Sequence, residues 1–558
     1  MNTHNRPSRH TIHSLFSDRF SAPGNIPILC LLWWFCFLQT PLFAQELDSD
    51  RVESITNGEI GESEEMVEPS HTAEDEPIVF YIIRKIDFSI TGRTRPFALY
   101  IHGEFQEGVR ITGQADLEKY IKDKTQLLLN QRVLESVHIA YTLGSPGEDG
   151  LVPVDLLVST VDTWNIIVLP KPQFDSNTGF ELTLKARDYN FFGAMNPLRV
   201  DLGYALEEDE LGEFSKGSFK FEIDSDTPFK AFGYTWNLNF DHIFAYTYEE
   251  PFSYKNITGI SMELPWKWTT FTFGFEENFI LNEENDDKYK EKYGTYFQDT
   301  WYLSSELYTA WKIPLSLDVG TFGKLTYTPK LSGKLNYRPG GELDYLRKGP
   351  VITFNQILGF GRIDWIGNYR SGVEASLGNT NAFNVYKKGW DNNITVSATG
   401  HKLVTGFFGV SGRLQYRHWF YDNSEDIYDS AGDSLRGVLD KSLHADYMLA
   451  LNLDFPFQAL HFVPSEWLHN QKLHFFDFDL HVSPIIDMAL IRDPVADIDF
   501  SFKAMLFSGG VEFLLFPHFT RSFYIRASIG FNLKAWAKTG SLPGGDNREI
   551  FIGIGHHY

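Results

Sequence analysis

Arg436 is the residue of this chain best equipped for specific chemistry, and that chemistry is ion pairing rather than bond making. It lies in Ser434-Leu435-Arg436-Gly437, a short motif in a polar loop. A guanidinium presents five N–H donors in a rigid fork that matches carboxylates. Two acidic residues stand out as its partners. Asp454 ends a segment in which Tyr447, Leu449, Leu451, Leu453 and Phe455 are apolar, while Met448, Ala450, Asn452 and Asp454 run towards small or polar. Asp487 sits in the alternating run from His481 to Ala489. A period of two puts both carboxylates on the face opposite the large hydrophobes. If that face lines a barrel, a loop folding inward brings Arg436 to Asp454 and Asp487. On a surface loop the same Arg436 would be solvated.

Other chemistries leave no signature. There is no Gly-rich phosphate loop followed by Lys and Ser or Thr, and no Gly-x-Ser-x-Gly elbow. His401, His418, His444, His461 and His474 are scattered, without the spacing of a metal site. His556-His557 reads as the end of a strand, and Glu207 and Asp209 as part of a hydrophilic turn. The two cysteines, Cys30 and Cys36, both fall in an apolar N-terminal run. Removing that run leaves no thiol for a disulfide, a metal or catalysis. The expectation is therefore no enzyme, no metal and no cofactor. A net charge of -24 argues against nucleic acid, since phosphate binding needs a basic surface.

The elements that must position Arg436 follow from composition and pattern. Mean hydropathy is -0.24, too polar for a bundle of membrane helices. Aromatics reach 16% with 45 glycines, a mixture that suits many strands with aromatic girdles. Residues 1–44 combine Arg6, Arg9 and Arg19 with an apolar run ending at Ala44, which reads as a secretory signal peptide. The competing reading is a single N-terminal anchor helix. Residues 45–77 are acidic with almost nothing to bury, a disordered linker. Residues 78–163 read as a small α+β unit. Leu117, Tyr120 and Ile121 have helical spacing after a cap at Thr112 or Asp116, and strands surround them. From residue 164 to 558 alternating segments follow one another, as in Leu198 to Tyr204, Phe219 to Asp224, Tyr234 to Asp241 and Phe523 to Asn532. One face is greasy and the other charged. In lipid only a closed barrel satisfies such strands, and the length suits about 16 antiparallel strands.

On these residues the chain resembles the BamA/TamA outer-membrane assembly superfamily, the bacterial surface antigen family. Asn190-Phe191-Phe192-Gly193 is similar to its Asn-hydrophobic-Gly signature closing the first barrel hairpin. Leu435-Arg436-Gly437 resembles the motif of its long inward loop, with Asp454 and Asp487 on the strands that receive it. The ending Phe551 to Tyr558, with Gly553, Gly555 and Tyr558, looks like a terminal β-signal. Val438 and Ala489 depart from the pattern, which has an aromatic after the Gly of the loop motif and a Gly after the Asp region. The resemblance implies an outer-membrane barrel of a diderm bacterium with a POTRA-like domain in the periplasm. It implies as partners membrane lipid, client outer-membrane proteins, and periplasmic or inner-membrane proteins. Its implied activity is insertion or translocation of other proteins by strand templating, at a seam between residues 164–174 and 549–558. The alternative is a passive porin or surface antigen that keeps the fold without that activity.

Overall fold

The structure is a computed structural model that describes residues 79–175, 179–208, 214–248, 251–282, 299–318, 323–421, 429–430, 434–438, 443–493 and 497–554. The expected signal peptide and linker lie outside these residues, as do Gly555 and Tyr558.

The first described part is a four-stranded sheet with two helices. Strand β1 (Phe80–Thr91) is followed by a helix (Pro96–His102), β2 (Arg110–Thr112), a long helix (Gly113–Leu129), β3 (Leu134–Leu143) and β4 (Leu151–Asp162). The sheet order is β2-β1-β4-β3, with β1 and β4 parallel. A parallel pair needs a crossover, and the helices supply it while covering one face. Ile83, Leu99, Leu117, Leu128, Leu134 and Leu156 form the core. Thr112 occupies the cap position of the long helix but makes no side-chain capping bond. Asp116 lies in its first turn, where a carboxylate favours the exposed N–H groups.

The rest is a closed antiparallel barrel. It begins with β5 (Ile166–Asp175), β6 (Gly179–Asp188), β7 (Leu198–Glu208), β8 (Phe214–Ala231) and β9 (Tyr234–Thr247). It continues with β10 (Ser253–Trp266), β11 (Thr269–Leu281), β12 (Trp301–Asp318), β13 (Lys324–Tyr337), β14 (Pro350–Ile366) and β15 (Tyr369–Asn384). Next come β16 (Gly389–Thr405), β17 (Phe408–Tyr421) and a two-residue pair inside a loop, β18 (Asp429–Ser430) with β19 (His444–Ala445). The wall closes with β20 (Tyr447–Asp454), β21 (Phe457–Phe462), β22 (Phe478–Arg492), β23 (Leu506–Pro517), β24 (Ile525–Asn532) and β25 (Arg548–Ile554). Nineteen segments form this wall. Because β20 and β21 both lie between β17 and β22, they are one strand interrupted at Phe455-Pro456. Counting that pair once leaves 19 − 1 = 18 strand positions among the described residues, where the sequence length suggested about 16. The estimate ran low because it allowed too many residues per strand and loop. The number stays even, as antiparallel closure requires.

The outer face is apolar and exposed: Leu182, Leu184, Leu202, Phe219, Leu307 and Leu331 all point away from the lumen. A soluble protein does not expose such a continuous belt, and a closed strand wall is what spans hydrocarbon without unpaired backbone. No helix among the described residues is long and apolar enough to cross a membrane. The barrel is a transmembrane one.

The N-terminal unit is fastened to one rim of the barrel by the packing of Tyr189 and Met195 against its core and by a set of polar contacts. Asp162, the last residue of β4, accepts from the Arg93 and Thr94 amides (2.7 and 3.0 Å), the Thr94 hydroxyl (2.7 Å) and Asn190 Nδ2 (3.1 Å). Asn190 thus belongs to the turn between β6 and β7, the second turn of the barrel wall and not its first hairpin. Its Nδ2 also donates to Thr94 Oγ1 at 2.7 Å, and its Oδ1 accepts from the Met195 amide at 2.9 Å. Phe191 packs on Phe192, which has φ +51° and projects outward. Gly193 has φ +72°, and a Cβ there would stand 2.3 Å from the Arg93 carbonyl oxygen. Further round, Asn130 exchanges hydrogen bonds with Asp364 (2.8 Å) and the Trp365 amide (3.0 Å). Arg132 stacks on Trp365 at 4.1 Å and donates to the Arg521 carbonyl.

Asp162→Ala removes the acceptor of four donors and should cost about 1–3 kcal/mol, concentrated at this joint. Faster hydrogen exchange at the Thr94 and Met195 amides, with the barrel amides unchanged, is the expected result. His102 gives the joint a pH dependence. Its ring lies 3.0 Å from the Ala194 carbonyl, and burial pushes its pKa down. The folded state therefore binds fewer protons than the unfolded one, so docking should weaken as pH falls through the ordinary imidazole value of about 6.5. Protection of the Arg95 and Met195 amides should drop between pH 7.5 and 5, and His102→Gln should flatten that response.

Candidate functional site

The loop joining β17 to β20 turns into the barrel instead of away from it. Residues 434–438 are all buried. Leu435, Val438, Leu443 and Ala445 pack against Met448 and Ala450 of β20 and Ala489 and Ile491 of β22. Those wall residues are the inward half of each alternating segment, small enough to leave room for the loop. Val438, where the resembled family has an aromatic, and Ala489 meet in this cluster.

Below the apolar cluster the loop presents Arg436 to the wall. Its Nη2 lies 2.7 Å from Asp487 Oδ1, and its Nε donates to Asp487 Oδ2 at 3.0 Å. The Arg436 backbone N–H also donates to Asp487 Oδ2, at 2.8 Å. Nη1 is 2.6 Å from Asp454 Oδ1 and 3.9 Å from Glu512 Oε2. Arg436 is 2% exposed and Asp487 fully buried, so neither charge is relieved by bulk water. The register explains the fork's span: Asn452 is opposite Asp487, and Asp454 lies two residues further along the same face. Asn452 Nδ2 donates to the Ser434 carbonyl at 2.9 Å, which fixes the chain just before Arg436. A polar cavity of about 30 Å³, lined by Asp454, Glu512, His481 and Ser483, lies beside the pair; it has room for about one water molecule.

Gly437 carries the loop along the wall to β24, two strand positions beyond β22. It has φ +111°, and a Cβ on it would stand 2.4 Å from the Phe531 amide nitrogen. A Cβ on Gly530 of β24 would stand 2.7 Å from the Arg436 carbonyl carbon. A glycine on each side lets the two main chains touch. The Gly437 N–H donates to Glu549 Oε2 on β25 at 3.0 Å. The loop therefore lies along the inside of one stretch of wall, from β20 and β22 past β23 to β24 and the last strand.

Of the residues singled out in the sequence, Leu435, Arg436, Gly437, Asp454 and Asp487 come together here. Asn190 to Gly193 lie elsewhere, at the joint with the N-terminal unit. Gly553 is buried on β25, opposite Arg526 in the β24 ladder. Glu512, Glu549, Gly530 and Arg526 were not foreseen. Arg526 sits over the Phe551 ring at 3.9 Å and 3.7 Å from Glu512 Oε2. A signal existed for two of them, because alternation from Ile525 to Phe531 already places Arg526 and Gly530 on the polar face. For Glu549 nothing local distinguishes it from any other acid. Chemically, the cluster sets two guanidiniums against four carboxylates and works as a fastening, with Asp487 hydrogen-bonded to Arg436 and the others held by charge or by the loop backbone.

Arg436→Ala strands Asp487 without its cation, and breaking a buried pair costs about 3–5 kcal/mol in a dry core and less in a lumen. A loss of about 1–3 kcal/mol in the unfolding midpoint is expected, with protease sensitivity appearing in residues 422–446. The double-mutant cycle with Asp487→Ala should show coupling of at least about 1 kcal/mol; strict additivity is the outcome that contradicts the contact. Arg436→Lys should rescue in part, since an ammonium cannot reproduce the fork. Gly437→Ala should release the loop while leaving the Arg436 side chain intact.

No family profile matches the chain, and no curated protein does. Solved structures that superpose on it include BamA from Haemophilus ducreyi lacking POTRA domains 1–3, with 13% identity, TM-score 0.35, 85% of this chain and 84% of that one covered. CdiB from Acinetobacter baumannii gives 13% identity, TM-score 0.42, and coverage of 85% and 74%. The FrpB iron transporter from Neisseria meningitidis gives 10% identity, TM-score 0.37, and coverage of 86% and 95%. Likenesses this distant carry no argument about family or activity, and they include proteins of different kinds.

Proposed function

We propose that this chain is an outer-membrane barrel of the BamA/TamA type that assists insertion or translocation of other proteins by non-covalent strand templating. The N-terminal unit then stands in the periplasm as a POTRA-like domain. The observation that carries the reading is the closure of the wall. Among the described residues, β25 and β5 share a single ladder position, Phe551 with Asp175. The adjoining ladders share seven positions between β24 and β25 and ten between β5 and β6. A short ladder is a place where an incoming strand can exchange for the existing neighbour, and main-chain hydrogen bonds supply the affinity. Gly553, in the last strand, adds no side chain to hold the seam. The bond from Gly437 to Glu549 supports the reading from inside, because it ties the position of the last strand to the Arg436 loop.

The N-terminal unit adds a second edge. β3 lies at the end of its sheet and is open on one side to an extended client segment. Membrane lipid covers the apolar belt, and client barrels are the partners at the seam.

The test is a reversible lock. Facing positions in an antiparallel ladder are close enough for a disulfide, so Asp175→Cys with Phe551→Cys should join β5 to β25. Under oxidation the locked protein should fold and reach the membrane but lose assembly activity, and reduction should restore it. Outer-membrane protein levels in cells depleted of the wild type and supplied with the variant are the readout. Unchanged levels of all other barrels with the lock closed would sink the proposal and leave a passive porin or surface antigen.

A further inference from the structure

Three side chains far apart in sequence meet on the barrel rim that faces the N-terminal unit. His461 lies near the end of β21, Asp479 near the start of β22, and His518 in the turn after β23. Their ligand atoms all lie within 4.8 Å of one another. The register brings them there. His461 is directly opposite Asp479, and Asp479 is directly opposite Phe516. The His518 N–H then donates to the Asp477 carbonyl at 2.9 Å, which carries the turn back over β22. His461 Nδ1 is 2.6 Å from Asp479 Oδ1, and His518 Nε2 is 3.3 Å from Asp479 Oδ2. One imidazole stands at each carboxylate oxygen.

The carboxylate is held from outside by two amides. Gln458 Nε2 donates to Oδ1 at 3.0 Å, and Asn368 Nδ2, from the turn between β14 and β15, donates to Oδ2 at 2.8 Å. Neutral outer donors that orient a ligand carboxylate are the usual support of a metal centre. The sequence conceals this grouping, because its histidines lack the i,i+4 spacing that marks ligands on one helix. Here each ligand comes from a different strand or turn, and only the pairing of the wall aligns them.

We propose that His461, Asp479 and His518 form a binding site for a first-row divalent cation, with Zn2+ the best match. Two imidazole nitrogens and one carboxylate suit zinc and its neighbours, whereas calcium and magnesium take oxygen ligands. Ligand distances to zinc are about 2.0–2.2 Å, within reach after a rotation of His461, whose side chain is 54% exposed. The open side of that imidazole leaves the remaining coordination position to water. A bound ion would join β21, β22 and the turn before β24. Arg521 and Ser522 of that turn also hold Arg132 of the N-terminal unit, so the ion would stiffen the rim on which that unit rests. The site is independent of the assembly reading, and either can fail without the other.

The test is titration of Zn2+ into the purified, folded, untagged protein after chelator treatment, read by calorimetry and by thermal midpoint. One saturable site is expected, with a rise in the midpoint. His461→Ala and His518→Ala should each weaken binding at least about 10-fold and abolish the rise, and Asn368→Ala should weaken it about 10-fold. Because His461 is exposed, its variant should fold even if Asp479→Asn does not, with heat-modifiable migration as the check. His474→Ala, which changes a histidine on the same rim paired with Asp477 at 3.0 Å, and His556→Ala with His557→Ala should bind as the wild type does. No saturable binding by the wild type, undiminished binding by His461→Ala, or loss only in the His556 and His557 variant would each overturn the proposal.

Discussion

The constraint on which everything else rests is lateral hydrogen bonding of the wall. Once a strand lies in hydrocarbon, its N–H and C=O groups have no partner but the neighbouring strands. The wall must therefore close, and the number of strands must be even. Closure also divides each segment into two faces. Leu449, Leu451 and Leu453 go to lipid, and Met448, Ala450, Asn452 and Asp454 go inside. Among the described residues β25 and β5 share one ladder position, where the ladders on either side share seven and ten.

Inside, the same alternation creates a problem that the inward loop resolves. Asp454, Asp487 and Glu512 are carried into the lumen by strands that hydrogen-bond elsewhere, and unpaired they would repel one another. Arg436 meets all three, and the bond from its own backbone N–H to Asp487 makes the loop's path part of the ion pair. Above it the apolar cluster shields one side of the pair from water, which strengthens the attraction and raises the cost of separating it. Two positions further round, at β24, Gly437 and Gly530 allow contact between main chains, so the loop bridges strands that are not direct neighbours in the wall.

The joint between the N-terminal unit and the barrel uses different physics. Beside the packing of Tyr189 and Met195 against the unit's apolar core, it uses directional bonds to Asp162 and Asn190, the exchange between Asn130 and the turn after β14, and Arg132 over Trp365. Polar joints of this kind fix orientation while remaining separable in water. The His461, Asp479 and His518 group lies on the same rim, where the barrel wall leaves the membrane and ligands of several strands can gather.

What the sequence by itself determined was everything that depends on local period. Alternation from Tyr447 to Phe455 and from His481 to Ala489 is enough to place Asp454 and Asp487 on one face, since a strand has only two. The helical spacing of Leu117, Tyr120 and Ile121, and the β-branched runs around it, likewise mark an α+β unit before the barrel. Tertiary structure alone decided which faces meet. Glu549 becomes a partner of Gly437 through a fold that brings residues 112 positions apart into contact. The signature at Asn190 proves to be a joint with residues near 93 and 162, not the closure of the first hairpin. The number of strands, 18 positions among the described residues rather than about 16, depends on loop lengths that carry no period. His461, Asp479 and His518 are ordinary scattered residues until strand register aligns them. Period is a property of consecutive residues, whereas register is set by the closure of the whole wall, and no local stretch contains it.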